Sequence, residues 1–254
     1  MTEFITPKQI RQQSRTGSFT GQTSGMCPGY TQANLVILPK KEAYDFLLFA
    51  QRNSKPCPIL EVADAGSKRL QTFAQDVDLA TDFPKYRVYQ NGELVSEPTD
   101  VTDIWRGDLV SFLIGCSFSF EAALIAAGIE MRHITMKRNV PMYKTNIKAK
   151  SAVSMRPIPE EQVVKAITIT ERLPQVHGTP IQIGDPERIG IQNLDQPDFG
   201  DAVEIYPGEV PVFWACGVTP QAVVMESKPE FVITHAPGHM LVTDIRDNQL
   251  ADIL

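Results

Sequence analysis

Apolar and polar positions alternate in blocks along this chain, and the blocks come in pairs. Lys41 to Arg52 sets Ala43, Phe46, Leu47 and Ala50 at helical spacing, and Glu160 to Arg172 reads as a second helix. A short strand-like run follows each, Ile59 to Val62 in the first half and the related Pro180 to Asp185 in the second. Leu109 to Ile114 is almost wholly apolar, as a strand covered on both faces of its sheet should be. It runs into the turn Cys116-Ser117-Phe118-Ser119, and Trp214-Ala215 runs likewise into Cys216-Gly217-Val218-Thr219. Glu121 to Gly128 is a predicted helix ended by glycine. Asn139-Val140-Pro141 and His235-Ala236-Pro237 come next, in the same order. The pattern predicts an α/β fold of two intimately packed α/β lobes related by internal duplication.

Outside the paired blocks, Pro7 is a favoured first residue for a short helix over residues 7–14. Residues 15–34 are rich in Gly, Ser and Thr and read as an irregular arm whose end, Gly25 to Asn34, lines the cleft between the lobes. Leu35 to Leu38 is a short buried strand stopped by Pro39, and Asn91-Gly92 marks a hairpin. Met155 to Pro159 is the expected lobe boundary. The lobes then span about 35–150 and 158–246, after an arm over 1–34. One detail conflicts: Gly107 and Gly208 match at an offset one larger than Cys116 and Cys216. Either a strand carries a bulge or one match is accidental.

Composition narrows the function. The 254 residues are 43% hydrophobic and 21% charged, as in ordinary globular proteins. A net charge of −6 with no basic run argues against a nucleic-acid partner. No run approaches a membrane span, and the first residues do not resemble a signal peptide. The four cysteines, Cys27, Cys57, Cys116 and Cys216, form no CxxC pair, so neither a zinc site nor a disulfide scaffold is indicated. A cytoplasmic protein with reduced thiols is expected, with no membrane partner and a homo-oligomer left open. No dinucleotide, Walker or serine-elbow motif is present, and neither a cofactor nor a metal is expected.

Several residues could carry chemistry. Cys116 and Cys216 sit where a strand meets a helix, whose N-terminal N–H groups favour a thiolate or a bound carboxylate. Ser117, Ser119 and Thr219 follow them as hydroxyl donors; plain core packing is the rival role for the thiols. Asp64 and Asp185 end strands, where α/β proteins place ligands, although capping is the commoner job of such an Asp. Asp198 and Asp201 flank a turn. His235 and His239 stand four apart, but Pro237 and Gly238 between them exclude a metal-binding helix face, leaving acid or base roles on a loop. Arg138, Tyr143, Lys144 and Asn146 form a donor set suited to a carboxylate, and Tyr30, Gln32 and Asn34 bring polar tips from the arm.

Six strings carry a resemblance: Gly29 to Leu35, Val140 to Asn146, Ile183 to Pro186, Asp198 to Asp201, Trp214 to Gln221 and His235 to Met240. The chain resembles the bacterial "Putative hydro-lyase" family, grouped with D-glutamate cyclase, from about Arg11 to Asp244. The resemblance implies a single domain of that type over residues 1–254. It also implies a carbon–oxygen lyase acting on a small amino or carboxylic acid, with closure of D-glutamate to 5-oxo-D-proline and loss of water as its sharpest form. His235, His239, Asp64 and Asp185 are the acid and base candidates for that reaction. A racemase or epimerase using Cys116 and Cys216 as two acid/base thiols is the alternative, and a non-catalytic binder of small carboxylates is the third reading.

Overall fold

The computed structural model describes residues 5–147 and 151–251. Helix α1 (Pro7–Arg15) starts where expected. Thr6 and Gln9 cap it reciprocally, and Arg11 on its buried face donates to the Val242 carbonyl at 2.8 Å. Strand β1 (Tyr30–Pro39) leads directly into α2 (Lys40–Arg52), then β2 (Ile59–Val62), the β3 (Tyr86–Gln90) and β4 (Glu93–Ser96) hairpin, and β5 (Leu109–Gly115). Asn91 and Gly92 are both left-handed, at φ +50° and +80°, as the tight hairpin turn requires. Helices α3 (Phe118–Ala126) and α4 (Arg132–Thr135) precede β6 (Met142–Lys144). The second half runs β7 (Ala152–Pro159), α5 (Val163–Glu171), β8 (Gln182–Ile183), β9 (Glu209–Ala215), α6 (Thr219–Ser227), β10 (Phe231–His235) and β11 (Leu241–Arg246).

These elements make a mixed α/β fold with two antiparallel sheets. The larger has the order β2-β5-β1-β10-β3-β4, with β11 also paired to β1; the smaller is β6-β7-β9-β8. The order β2-β5-β1 in one matches β8-β9-β7 in the other. Registers match too: Ala33 to Pro39 pair with Gly115 to Leu109, and Val153 to Pro159 pair with Ala215 to Glu209, both without a shift. The offset of 100 between Cys116 and Cys216 therefore holds along both strands. Gly107 lies two residues before β5 and Gly208 one residue before β9, so the two glycines do not share a position. The strand that follows each pair of matching elements crosses over. β6 pairs with β7, while β10 and β11 pair with β1.

Two expected boundaries are corrected. Residues 30–34 are part of β1, not of a loop: Thr31, Gln32 and Asn34 are buried there, and Asn34 Nδ2 donates to Gly115 O on β5 at 2.7 Å. Ser119 Oγ accepts from Gln32 N at 2.9 Å. Met155 to Pro159 is no lobe boundary, since it forms the second half of β7 and pairs fully with β9. A division at 158 would cut a buried strand.

The sheets are joined by a charge that water does not reach. Arg156 on β7 has no exposed surface. Its Nε donates to Glu121 Oε1 on α3 at 3.0 Å, and its Nη2 reaches the same oxygen. Nη1 and Nη2 also donate to Ser154 Oγ at 3.0 Å and Ser117 Oγ at 3.1 Å. The guanidinium lies 4.9 Å from the Phe120 ring centroid and 5.6 Å from that of Trp214. His133 Nε2, on α4, stands 3.1 Å from Glu121 Oε1, within ion-pair range but without hydrogen-bond geometry. His133 and Arg156 together hold the Glu121 carboxyl below its usual value, against the burial that would raise it.

Removing one partner of such a network strands the other charge in a dry interior. Arg156→Met should cost ~3–5 kcal/mol in urea unfolding. Adding Glu121→Gln should return part of that loss by removing the orphaned charge. A single variant within ~1 kcal/mol of the parent would show that Arg156 does not join the sheets.

Candidate functional site

Three of the unusual strings meet at one place. β10 ends at His235, and Pro237 and Gly238 turn the chain back toward β11. Gly238 has φ +84°, and a Cβ there would fall 2.4 Å from Asn139 Nδ2, so only glycine fits. The arm clamps this turn: Thr23 N donates to Gly238 O at 2.8 Å, and Met240 N donates to Thr23 Oγ1 at 3.0 Å. Gln32 Nε2 anchors the arm in turn through Thr23 O at 2.9 Å. On the other side, Asp201 Oδ2 accepts from Asn139 N at 2.8 Å, and Asp198 Oδ2 accepts from Lys144 N at 2.8 Å. Met142 and Phe199 exchange backbone hydrogen bonds, which seats residues 198–201 beside β6.

The space left between these segments is a polar cavity of about 330 Å³. Lys85, Arg87, Glu97, Asn139, Asp198 and His239 bring its functional groups. Arg87 Nε donates to Glu97 Oε1 at 2.7 Å, whereas Lys85 has no carboxylate partner among the described residues. Asn139 Nδ2 donates to Pro237 O at 3.2 Å, and its Oδ1 is buried with no partner. His239 Nδ1 lies 3.0 Å from the Pro237 carbonyl. Burial pushes the imidazole below the ordinary histidine value, outweighing the Pro237 and Thr20 carbonyls that favour the protonated ring. The ring is therefore an uncharged base at neutral pH, with acceptors at hand once it takes a proton.

The other acid/base candidates are not brought here. His235 is wholly buried. Its Nδ1 lies 3.1 Å from Leu35 N and 3.3 Å from Leu35 O, so it bonds to the β1 backbone in either tautomer, and burial pushes its pKa down to about 3. It supports the turn and does not line the cavity. Asp64 and Asp185 are exposed turn residues. Asp185 accepts from Glu187 N at 3.1 Å and pairs with Arg188, the capping role.

Cys116 and Cys216 do sit at matching strand-to-helix turns, and the two turns meet. Both thiols are packed in one apolar cluster with Phe118, Val140, Met142, Ala152, Val218 and Met240. Their expected activation is overturned. Phe118 N does point at Cys116 Sγ from 3.5 Å, but burial wins and raises that thiol strongly, while Cys216 is pushed up to about 11. Burial likewise raises Cys57 to about 12 and Cys27 to about 11.

The expected carboxylate donors are engaged inside the fold. Asn34 Nδ2 donates to Gly115 O at 2.7 Å, and its amide fills the space a side chain at Gly217 would need. Ser117 serves Arg156, Ser119 serves β1, and Thr219 Oγ1 donates to Cys216 O at 2.7 Å. Tyr30 stacks under the Arg246 guanidinium at 3.8 Å, and Tyr143 donates to Leu194 O at 2.7 Å. Arg138 donates to Ala202 O at 2.7 Å, Lys144 pairs with Asp198, and Asn146 packs on Gly190. Lys85, Arg87 and Glu97 were not among the expected residues. Their one signal in the sequence is the two-residue spacing of Lys85, just before β3, and Arg87 within it, which sets both on one side of an extended chain.

Among the described residues, no three His, Cys, Asp or Glu side chains are grouped as a metal would need, and no helix is long and apolar enough to cross a membrane. Residues 110–244 match the D-glutamate cyclase family. A protein of Bacillus licheniformis named "Putative hydro-lyase" is 61% identical over 96% of this chain and 96% of its own. Proteins of the same name from Clostridium beijerinckii and Bacillus subtilis are each 59% identical, over 95% of both chains and over 97% of this chain and 99% of that one.

The buried imidazoles set the response to acid. His235 and His177, the latter pushed down to about 4, have folded values below the ordinary 6.5. The unfolded chain therefore binds more protons between those values. The stability they contribute is complete above about pH 6.5 and is lost as pH falls toward 4 and then 3. Melting temperature should drop across that window, and the drop should be shallower in His235→Gln, whose amide oxygen can still accept from Leu35. An equal slope in both proteins would refute this role for His235.

Proposed function

Because the chain belongs to the D-glutamate cyclase family, we propose that it is a carbon–oxygen lyase that closes D-glutamate to 5-oxo-D-proline with loss of water at the His239 cavity. The observation that carries this reading is His239 itself. It is an expected acid/base residue that lines this polar cavity, and there it stands with Lys85 and with the unused acceptor of Asn139.

Closure joins the substrate amine to its side-chain carboxyl carbon. The ammonium gives up two protons, and the departing oxygen takes up two and leaves as water. A neutral imidazole can carry the two protons in turn from the nitrogen to the leaving oxygen, so one residue serves as base and then acid in each transfer. Lys85 is suited to hold a carboxylate, and Asn139 Oδ1 to orient the ammonium. Arg87, tied to Glu97, supports the positive side of the cavity. The thiols take no part, since burial keeps them protonated. The four cysteines are free, which suits a cytoplasmic enzyme. The two matching strand–helix units are proposed as copies of one ancestral unit, supported by their shared strand order and register.

Incubation with D-glutamate, read by mass spectrometry on a chiral column, should give a product lighter by one water. His239→Ala should lower kcat/KM by ~100-fold or more, and Lys85→Met should act mainly on KM. As His239 is shifted down, the acid limb of kcat/KM should fall below pH 6.5. Full activity in His239→Ala would remove the cavity from the reaction.

A further inference from the structure

A second cavity, of about 570 Å³, opens between the segment joining α2 to β2 and the segment joining α5 to β8. These are equivalent connections in the two strand–helix units, and none of the residues lining this cavity lines the His239 cavity. The two segments are bolted together by polar groups. Lys55 Nζ donates to Thr179 Oγ1 at 2.8 Å, and His177 Nδ1 lies 2.8 Å from the Lys55 carbonyl. A carbonyl only accepts, so Nδ1 carries the proton of this neutral, buried ring. His177 holds this contact from a left-handed backbone, φ +85°, which residues other than glycine rarely adopt.

Lys55 is half-buried, and among the described residues its ammonium has a hydroxyl for a partner and no carboxylate. A cation so placed is left short of negative charge. Because Nζ uses a lone pair of Thr179 Oγ1, the hydroxyl hydrogen remains free to donate. An ammonium and a hydroxyl side by side match the two oxygens of one carboxylate. Cys57, Pro58, Ile59 and Pro174 give the cavity an apolar wall, and Glu171 adds a negative group that repels a doubly charged anion about twice as strongly as a singly charged one.

We propose that this cavity binds a small aliphatic monocarboxylate, with Lys55 and Thr179 on its oxygens and the apolar wall against its carbon chain. The proposal does not depend on the role given to His239. It is tested by calorimetric titration of the whole chain with sodium isovalerate, and separately with inorganic phosphate.

Saturable isovalerate binding is expected in the parent and unchanged in His239→Ala. Lys55→Met should weaken it by about tenfold or more, the loss of a charged hydrogen bond. Thr179→Val should weaken it by about threefold or more, and it carries the test if Lys55→Met fails to fold. Absence of saturable binding in the parent overturns the proposal, as does unchanged binding in both cavity variants. Loss of binding in His239→Ala would place isovalerate in the other cavity. Phosphate displacing isovalerate would replace a monocarboxylate with a phosphate-bearing ligand.

Discussion

A guanidinium sealed from water has to be satisfied from within, and Arg156 meets that demand with partners drawn from several elements. Glu121 and Ser117 come from the β5-to-α3 turn and α3, and Ser154 comes from β7 itself. Phe120 and Trp214 cover the planar faces. The contacts to Glu121, Ser117 and Phe120, which tie β7 to α3 and the turn before it, are lost if α3 moves against β7. The crossed pairing of β6 with β7 and of β11 with β1 then closes the arrangement, since each half completes the other's sheet. The turns carrying Cys116 and Cys216 come together as a result.

The same burial decides which groups keep their reactivity. A helix N-terminus stabilises a thiolate by a modest electrostatic effect, whereas complete desolvation opposes it by more. Both repeated cysteines therefore stay protonated, and His235 stays neutral against the β1 backbone. His239 lies four residues further on, at the rim of the sheet. Burial there is enough to lower its pKa but not enough to close it off from the cavity.

Much of this fold was legible in the sequence. Helical spacing located α2, the Asn91-Gly92 pair located the β3–β4 turn, and the apolar run located β5. The start of β1 is hidden because Thr31, Gln32 and Asn34 look like loop residues. Only the distant Ser119 and Gly115 show that the Gln32 backbone and the Asn34 amide bond inside the fold. Asp64 and Asp185 were over-weighted for a physical reason: ligands gather at the carboxyl ends of strands in parallel sheets, and both sheets here are antiparallel. The buried Arg156–Glu121 pair left no local pattern, as its members are 35 residues apart and each is ordinary alone. Lys85 and Arg87 were equally hidden, being charged residues on a hairpin that only the pairing of β3 with β10 carries to His239.

In the proposed reaction the imidazole of His239 works and the buried thiols do not. Incubating D-glutamate with the protein in deuterium oxide, and reading the Cα position by NMR, separates the two most directly. The account predicts that water is lost while the Cα proton is kept, because the thiols cannot ionise to remove it. Deuterium appearing at Cα without loss of water, and vanishing in Cys116→Ser or Cys216→Ser, would contradict it.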